Sequence, residues 1–133
     1  MISDSLEATF GSVIYSYTRA QAVADGVQVD VTKTAQEAGI KFPVFITRTV
    51  FDAYVAVPEG VTGQDEAGRL WDIVWMLRFG IIRSRPGVDR IPVALYVRNE
   101  NRRAKLVKLI ATCGALDIDH PQPAITVMMP DED

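Results

Sequence analysis

Apolar residues return at two different spacings along this chain. Between Gln64 and Arg83 they recur every three or four positions, which predicts one long amphipathic helix. Four more apolar side chains widen its apolar face, so we expect the helix to be central and covered on more than one side. These side chains are Ile73, Trp75, Phe79 and Ile82. We also expect Trp71 and Trp75, four residues apart on one helix face, to lie in the core rather than to stack on a ligand.

Helix-capping signals mark shorter elements ahead of the long helix. Thr18 is followed three residues later by Gln21, which is the spacing of a capping box, and Gly26 then predicts the end of that helix. A β-prone run over 13–17 precedes it. The other predicted elements are a short helix capped by Asp30 or Thr32 and ended at Gly39, a strand over 42–47 and a helix over 48–55.

The last third of the chain has the two-residue period of β-strands. Apolar and other residues alternate over 91–97, and β-prone runs follow over 105–112 and 124–129. Short links between these strands predict an antiparallel meander, and we expect residues 114–123 to form a loop. Helices first and strands later favour an α+β fold, in which N-terminal short helices and one long central helix pack on one face of a mainly antiparallel sheet with a C-terminal three-strand meander.

The chain has 133 residues, which is the size of one domain. We expect a loosely ordered arm over 1–12, a single α+β domain over 13–129 and an acidic tail over 130–133. With 48% apolar residues and a net charge of only -3, the composition excludes a disordered chain. A single cysteine excludes a disulfide scaffold, and no apolar stretch is long enough to span a membrane. We expect no signal peptide and a reducing, cytoplasmic location.

Charge is divided unevenly along the sequence. Residues 78–108 hold nine basic and two acidic side chains, whereas the rest of the chain holds five basic and fifteen acidic ones. Such a division predicts a partner with a charged face, or self-association. The candidate residues for binding a polyanion or another partner are Arg83, Arg85, Arg90, Arg98, Arg102, Arg103, Lys105 and Lys108.

Two groups of arginines define the expected geometry of this basic window. Arg83 and Arg85 leave the long helix, while a second group surrounds a predicted hairpin turn. That second group is Arg98, Arg102 and Arg103. We expect the two loops to lie together, which would form the electrostatic footprint of nucleic-acid binding. The alternative is that these side chains pair with acidic helices of the same molecule or are only solvated.

Common catalytic and metal-binding sets are missing from the sequence. Cys113 and His120 could form a nucleophile and base, but we favour a buried cysteine beside an exposed loop histidine. One cysteine and one histidine do not suffice for a structural zinc site. Asp117 and Asp119 could hold a weakly bound ion with His120, although a solvated acidic loop is the interpretation we favour. We therefore expect no cofactor and no metal.

Two features near the start of the long helix have a chemical and a structural interpretation. The turn over Gly60–Gly63 could meet an anion with its backbone donors, but it lacks the P-loop lysine. Asp65 and Asp72 lie two helical turns apart and could act as a pair of catalytic carboxylates. We favour the structural interpretation of both, a helix-entry turn followed by acids that stabilise the helix dipole.

Two segments carry a resemblance to a known family. They are YSYTRAQAVADG at 15–26 and VPEGVTGQDEAGRLWD at 57–72. In these segments the chain resembles a family of short uncharacterised bacterial proteins that are carried on plasmids and integrative mobile elements. The resemblance implies a mobile-element accessory protein and assigns no chemistry. Small proteins of that setting often bind host machinery, including in counter-defence.

These observations support three functions, in this order. The first is a non-enzymatic mobile-element accessory protein that binds a host protein or protein complex, with counter-defence as one such role. The second is a nucleic-acid binding protein that uses the basic window over 78–108. The third is an enzyme with an unrecognised site, around 15–19 or 60–64. Exposure of the surface of Trp71 and Phe79 would favour a homodimer.

Overall fold

The computed structural model describes residues 17–132. The predicted arm over 1–12, most of the β-prone run over 13–17 and Asp133 of the acidic tail lie outside the described residues. The helices of the described part are α1 (Arg19–Ala24), α2 (Thr32–Glu37), α3 (Arg48–Val50), which continues as a π-helical turn over Phe51–Val55, and α4 (Glu66–Arg83). The strands are β1 (Gln28–Asp30), β2 (Val44–Thr47), β3 (Arg90–Val97), β4 (Lys105–Asp117) and β5 (His120–Met128).

The strands form a five-stranded sheet in the order β1-β2-β5-β4-β3. Its last three strands are antiparallel neighbours in chain order, which confirms the predicted meander. β1 also runs antiparallel to β2, whereas β2 and β5 are parallel. The sheet is thus mainly antiparallel, and the α+β class is confirmed. The sequence pattern does not predict β1, because three residues between two helices show no period.

Capping contacts mark the starts of the first two helices. Thr18 Oγ1 accepts a hydrogen bond from Gln21 N, and Gln21 Oε1 accepts one from Thr18 N, both at 3.0 Å, which confirms the capping box. Gly26 follows α1 with a φ of +76°, a left-handed conformation that favours glycine. Asp30 Oδ1 accepts from Thr32 N at 2.9 Å and supports the start of α2.

The predicted loop over 114–123 is wrong, because both strands of the second hairpin continue through it. β4 and β5 are still paired at Gly114 with Ala124 and at Asp117 with His120. The two prolines of this stretch suggest a loop, since proline cannot donate to a sheet. However, β5 pairs with β2 only from residue 125 onward, so these prolines lie where β5 has one neighbouring strand and are tolerated there.

One side of α4 packs closely against the meander. The helix begins after Asp65, whose Oδ1 accepts from Gly68 N at 2.7 Å. Gly80 permits the close approach, since a Cβ built there would lie 2.9 Å from Ile91 Cγ2 and 3.2 Å from the Pro92 carbonyl oxygen. The side chains that this helix buries fully in the core are Ile73, Val74 and Leu77.

α4 contacts the π-helical turn and α2 as well as β3, but the expectation that it is covered around its apolar circumference is wrong for its outward side. Trp71 and Trp75 are 36% and 45% exposed, so they do not lie in the core. Phe79 and Ile82 are also exposed, on the same outward face. When most of a helix circumference is apolar, residue spacing alone does not show which apolar side chains face outward.

The helices lie on both faces of the sheet, not on one face as expected. The Arg19 guanidinium of α1 lies 4.3 Å from the centre of the Phe45 ring and donates to Thr126 Oγ1 at 2.8 Å. Phe45 and Thr126 are register partners. Strand alternation places both on the face opposite to Ile46 and Val127, which belong to the core beneath α4. α1 thus covers part of the face that α4 leaves uncovered.

We expect Gly80→Val to destabilise the fold by about 1–3 kcal/mol, because the added atoms collide with Ile91 and the backbone of Pro92. Gly114→Val is the matched control, since a Cβ at Gly114 meets no atom within 4 Å and valine suits a strand. Urea unfolding of both variants checks the prediction. Equal stability of the two variants would contradict the close packing of α4 on β3.

Candidate functional site

On the side of the sheet that points away from α4, β3 and the first residues of β4 are not covered by any helix of residues 17–132, whereas α1 contacts the far end of β4. Exposed and buried side chains alternate along β3, so every second residue points to this face. Tyr96 is 70% exposed, and its register partner Leu106 is 51% exposed. We call this surface the open face, and its side chains are Arg90, Pro92, Ala94, Tyr96, Leu106 and Lys108.

Lys108 and Arg90 bring positive charge to the open face, whereas the carboxylate of Asp117 lies at the far end of β4, hydrogen-bonded to α1. Lys108 is the register partner of Ala94, which places it about 7–8 Å diagonally from Tyr96. Arg90 begins β3 on the same face. None of the side chains that define the open face is Asp or Glu. The face therefore combines an exposed aromatic ring, apolar surface and cations.

The expectation that the two arginine groups lie together is wrong. Arg83 and Arg85 lie where α4 leads into β3, whereas Arg102 and Arg103 lie in the hairpin at the opposite end of β3. A strand of eight residues spans about 25 Å, so the two groups are not neighbours. The connection after α4 and the hairpin after β3 stand at opposite ends of one strand, which fixes this separation.

Arg98 belongs to the scaffold rather than to the open face. Its guanidinium donates to the carbonyl oxygen of Thr62 and to Asn101 Oδ1, the latter at 3.2 Å. Asn101 Nδ2 donates to the Gly60 carbonyl oxygen at 2.8 Å, and Asn101 Oδ1 accepts from Thr62 N at 3.0 Å. These contacts fasten the turn over Gly60–Gly63 to the hairpin, so the Thr62 donor faces a side chain and not an anion.

Arg69 is a buried cation that links α4 to the hairpin. It is 4% exposed and donates to the carbonyl oxygens of Val55 at 3.1 Å and Arg98 at 2.9 Å, and to Asn99 Oδ1 at 2.6 Å. Burial lowers the pKa of this guanidinium, and the nearby charge of Arg98 lowers it further. Sequence reasoning does not identify this role. The available signal is its position four residues before Ile73 on the buried face of α4.

Several cations of the basic window are not neutralised by carboxylates within residues 17–132. Among the described residues, an ion pair joins Arg48 to Asp52 at 3.6 Å, and neither residue belongs to the basic window. The basic residues of the window without such a carboxylate within 4.0 Å include Arg85, Arg102, Arg103, Lys105 and Lys108. Arg83 instead lies 5.2 Å from the centre of the Phe79 ring. Within residues 17–132, pairing with acidic helices therefore does not account for these charges.

Cys113 and His120 are too far apart to form a catalytic pair. Cys113 pairs with Ile125, which lies five residues along β5 from His120, a separation of about 16 Å. Burial raises the pKa of the Cys113 thiol, and the charge of Asp89 raises it further. The thiol is therefore protonated at neutral pH and a poor nucleophile.

Asp117 anchors α1 to the hairpin between β4 and β5. Its Oδ1 accepts from Arg19 N at 3.1 Å, and its Oδ2 accepts from Ala20 N at 3.0 Å. Hydrogen bonds from the backbone of Ile118, Ala20 and Arg19 and the charge of Arg19 lower the pKa of this carboxyl group. The described residues bring no three His, Cys, Asp or Glu side chains together as a possible metal site.

A cavity of about 530 Å³ beside the start of α4 contains both predicted carboxylates. Asp65 caps the helix, and Gln64 and Arg69 are hydrogen-bonded to each other and to the Arg98 carbonyl oxygen. Among the side chains of Gln64, Asp65, Arg69 and Asp72, only that of Asp72 forms no hydrogen bond with the described residues. The polar groups here are thus mostly used by the fold, and Asp65 and Asp72 do not form a matched catalytic pair.

Comparison with known proteins identifies a family and no activity. Residues 4–133, nearly the whole chain, match a family of unknown function, DUF6573. The chain belongs to this family. That confirms the expected membership of an uncharacterised family, although the family itself assigns no chemistry to this DUF6573 member. No curated protein and no solved structure matches the chain significantly. None of the helices in the described part is long and apolar enough to cross a membrane.

We expect Arg69→Met to destabilise the protein by about 3 kcal/mol or more, because it leaves several buried acceptors without their donor. Arg102→Met, at an exposed hairpin position, is the control and should change stability by about 0.5 kcal/mol or less. Denaturant unfolding monitored by tryptophan fluorescence measures both. Similar effects of the two substitutions would contradict the linking role of Arg69.

The lowered pKa of Asp117 predicts a stabilising contribution that depends on pH. The contribution is present above the carboxyl pKa of the unfolded chain, about 3.9, and is lost as the pH falls through the lower pKa of the folded state. Asp117→Asn should therefore lower Tm at pH 7, and its Tm should approach that of the unsubstituted protein at strongly acidic pH. Asp119→Asn is the neighbouring control. A Tm difference that is constant from neutral to strongly acidic pH would contradict this account.

Proposed function

We propose that this DUF6573 protein acts by binding rather than by catalysis, and that its open face binds single-stranded nucleic acid. The observation that carries the proposal is the exposed Tyr96 beside Lys108 on the open face, whose six defining side chains include no Asp or Glu. Bases stack on aromatic side chains of such faces, because every base has a flat π surface. Neighbouring cations attract the phosphates and release their counterions.

The hairpin extends the open face with further cations. Arg102 and Arg103 lie in the connection between β3 and β4, at the end of the open face that carries Tyr96, whereas Lys105 is the register partner of the buried Val97 and points to the other side of the sheet. The planar guanidinium of arginine donates in a fork geometry that matches phosphate. A single strand of nucleic acid that crosses Tyr96 would therefore meet Lys108 on one side and the hairpin cations Arg102 and Arg103 on the other. This arrangement supports nucleic acid as the partner, ahead of the host protein that the sequence alone favours.

The biological setting follows from the resemblance to proteins of plasmids and integrative mobile elements. We propose an accessory role in the bacterial cytoplasm, where binding of a host nucleic acid would serve counter-defence. A host protein complex is the alternative partner, with an acidic protein surface bound to the same cations. The experiments below separate the two partners.

Affinity for a labelled single strand should fall steeply with salt. If Lys108, Arg102 and Arg103 neutralise three phosphates of a single strand, the affinity falls about 20-fold between roughly 50 and 200 mM salt. Fluorescence anisotropy with single- and double-stranded DNA and RNA measures this dependence. Absence of binding at the lower salt concentration would contradict the proposal and would direct the search to a host protein by pull-down from lysate.

Substitutions on the open face should weaken this binding. Lys108→Glu, and Arg102→Glu combined with Arg103→Glu, should each lower affinity at least about tenfold and flatten the salt dependence. Tyr96→Ala should lower affinity by about five-fold or more, whereas Tyr96→Phe keeps a ring for stacking and should bind nearly as well. Lys33→Glu, an exposed charge reversal on α2, is the control. Unchanged binding by both charge-reversal variants would contradict the assignment of the surface.

A further inference from the structure

The outward side of α4 carries four large apolar side chains that lie outside the core formed by residues 17–132. Trp71, Trp75, Phe79 and Ile82 are 36%, 45%, 49% and 64% exposed. Their spacing of four, four and three residues places them along one line of the helix, about 16 Å long. We call these residues the aromatic stripe. Exposed apolar surface of this extent usually marks an interaction site.

Contacts within the stripe hold its rings in a fixed arrangement. Trp71 and Trp75 stack with their ring centroids 5.8 Å apart. The guanidinium of Arg78 lies 5.0 Å from the centre of the Trp75 ring, and that of Arg83 lies 5.2 Å from the centre of the Phe79 ring. Tryptophan and arginine are the residues that most often dominate the energy of protein interfaces.

Opposite charges lie along one edge of the stripe. Asp72 and Arg83 are eleven residues apart, which is almost exactly three helical turns, so both lie on the same side of the stripe. Asp72 stands near its N-terminal end and Arg83 near its C-terminal end. Neither side chain forms an ion pair with another of the described residues. The stripe is therefore complementary in charge to a reversed copy of itself.

We propose that a second copy of this chain packs on the aromatic stripe, with the two α4 helices antiparallel about a two-fold axis near Leu77. In this register, Asp72 faces the partner's Arg83 on one edge, and Trp71 faces the partner's Ile82 on the other. Trp75 meets the partner's Phe79 at the centre. Such a contact is isologous, so each pairing occurs twice and the assembly closes at two copies.

The dimer goes beyond the proposed nucleic-acid function and uses a different surface. α4 lies on the Ile91 side of the sheet, whereas Tyr96 and Lys108 point to the opposite side. Dimerisation through the stripe thus leaves both open faces accessible, directed away from each other. Loss of the dimer and loss of nucleic-acid binding are separate observations, because they depend on different residues.

A charge-swap series tests the dimer by size-exclusion chromatography with light scattering. The unsubstituted protein should have twice the 14.7 kDa mass of one chain. Asp72→Arg and Arg83→Asp should each weaken dimerisation at least about tenfold, since like charges then meet twice across the two-fold axis. The double variant Asp72→Arg with Arg83→Asp restores the opposite pairing and should recover the dimer. Circular dichroism verifies that each variant is folded.

Two results would overturn this inference. A monomeric mass of the unsubstituted protein at high micromolar concentration would show that no second copy binds the stripe. A dimer that neither single charge reversal weakens would show that the copies associate elsewhere. Recovery of the dimer in the double variant, after its loss in both single variants, is the result that the antiparallel register predicts.

Discussion

The close contact of Gly80 with β3 sets the distance between the long helix and the sheet, and the other surfaces depend on it. A side chain at this position would collide with Ile91 and the backbone of Pro92. With glycine there, α4 approaches closely enough for Ile73 and Leu77 to be fully buried against one face of the meander. The open face on the other side of β3 and the start of β4 stays exposed, and so does the outward side of α4.

Hydrogen bonding separates the cations that hold the fold from those that face solvent. The guanidinium groups of Arg69 and Arg98 donate hydrogen bonds to carbonyl and amide oxygens around the hairpin. A buried guanidinium is tolerated there because several acceptors satisfy it. Arg102, Arg103 and Lys108 form no ion pair with a carboxylate of the described residues. A count of basic residues in the sequence treats both groups alike, whereas only the second group suits a ligand.

Sequence periodicity predicts the α+β class, the meander and the long helix, because these elements have many residues in a regular pattern. It does not predict β1, which has three residues, or the continued pairing of β4 and β5 past their prolines. The two basic loops lie at opposite ends of β3 because of the way the chain connects α4, β3 and β4. The spacing of apolar residues along the sequence does not show this connection in space. Tyr96 could be assigned to the outward face from strand alternation, but the exposure of Trp75 depends on which neighbours pack on α4.

The central claim is that nucleic acid binds on the open face and not on the aromatic stripe. The most direct measurement is ultraviolet cross-linking of a single-stranded oligonucleotide to the protein, followed by mass spectrometry of the cross-linked peptides. Stacking of a base on Tyr96 predicts a cross-link on β3 at that residue. Cross-links confined to Trp71 or Trp75 on α4, with none on β3, would contradict the account.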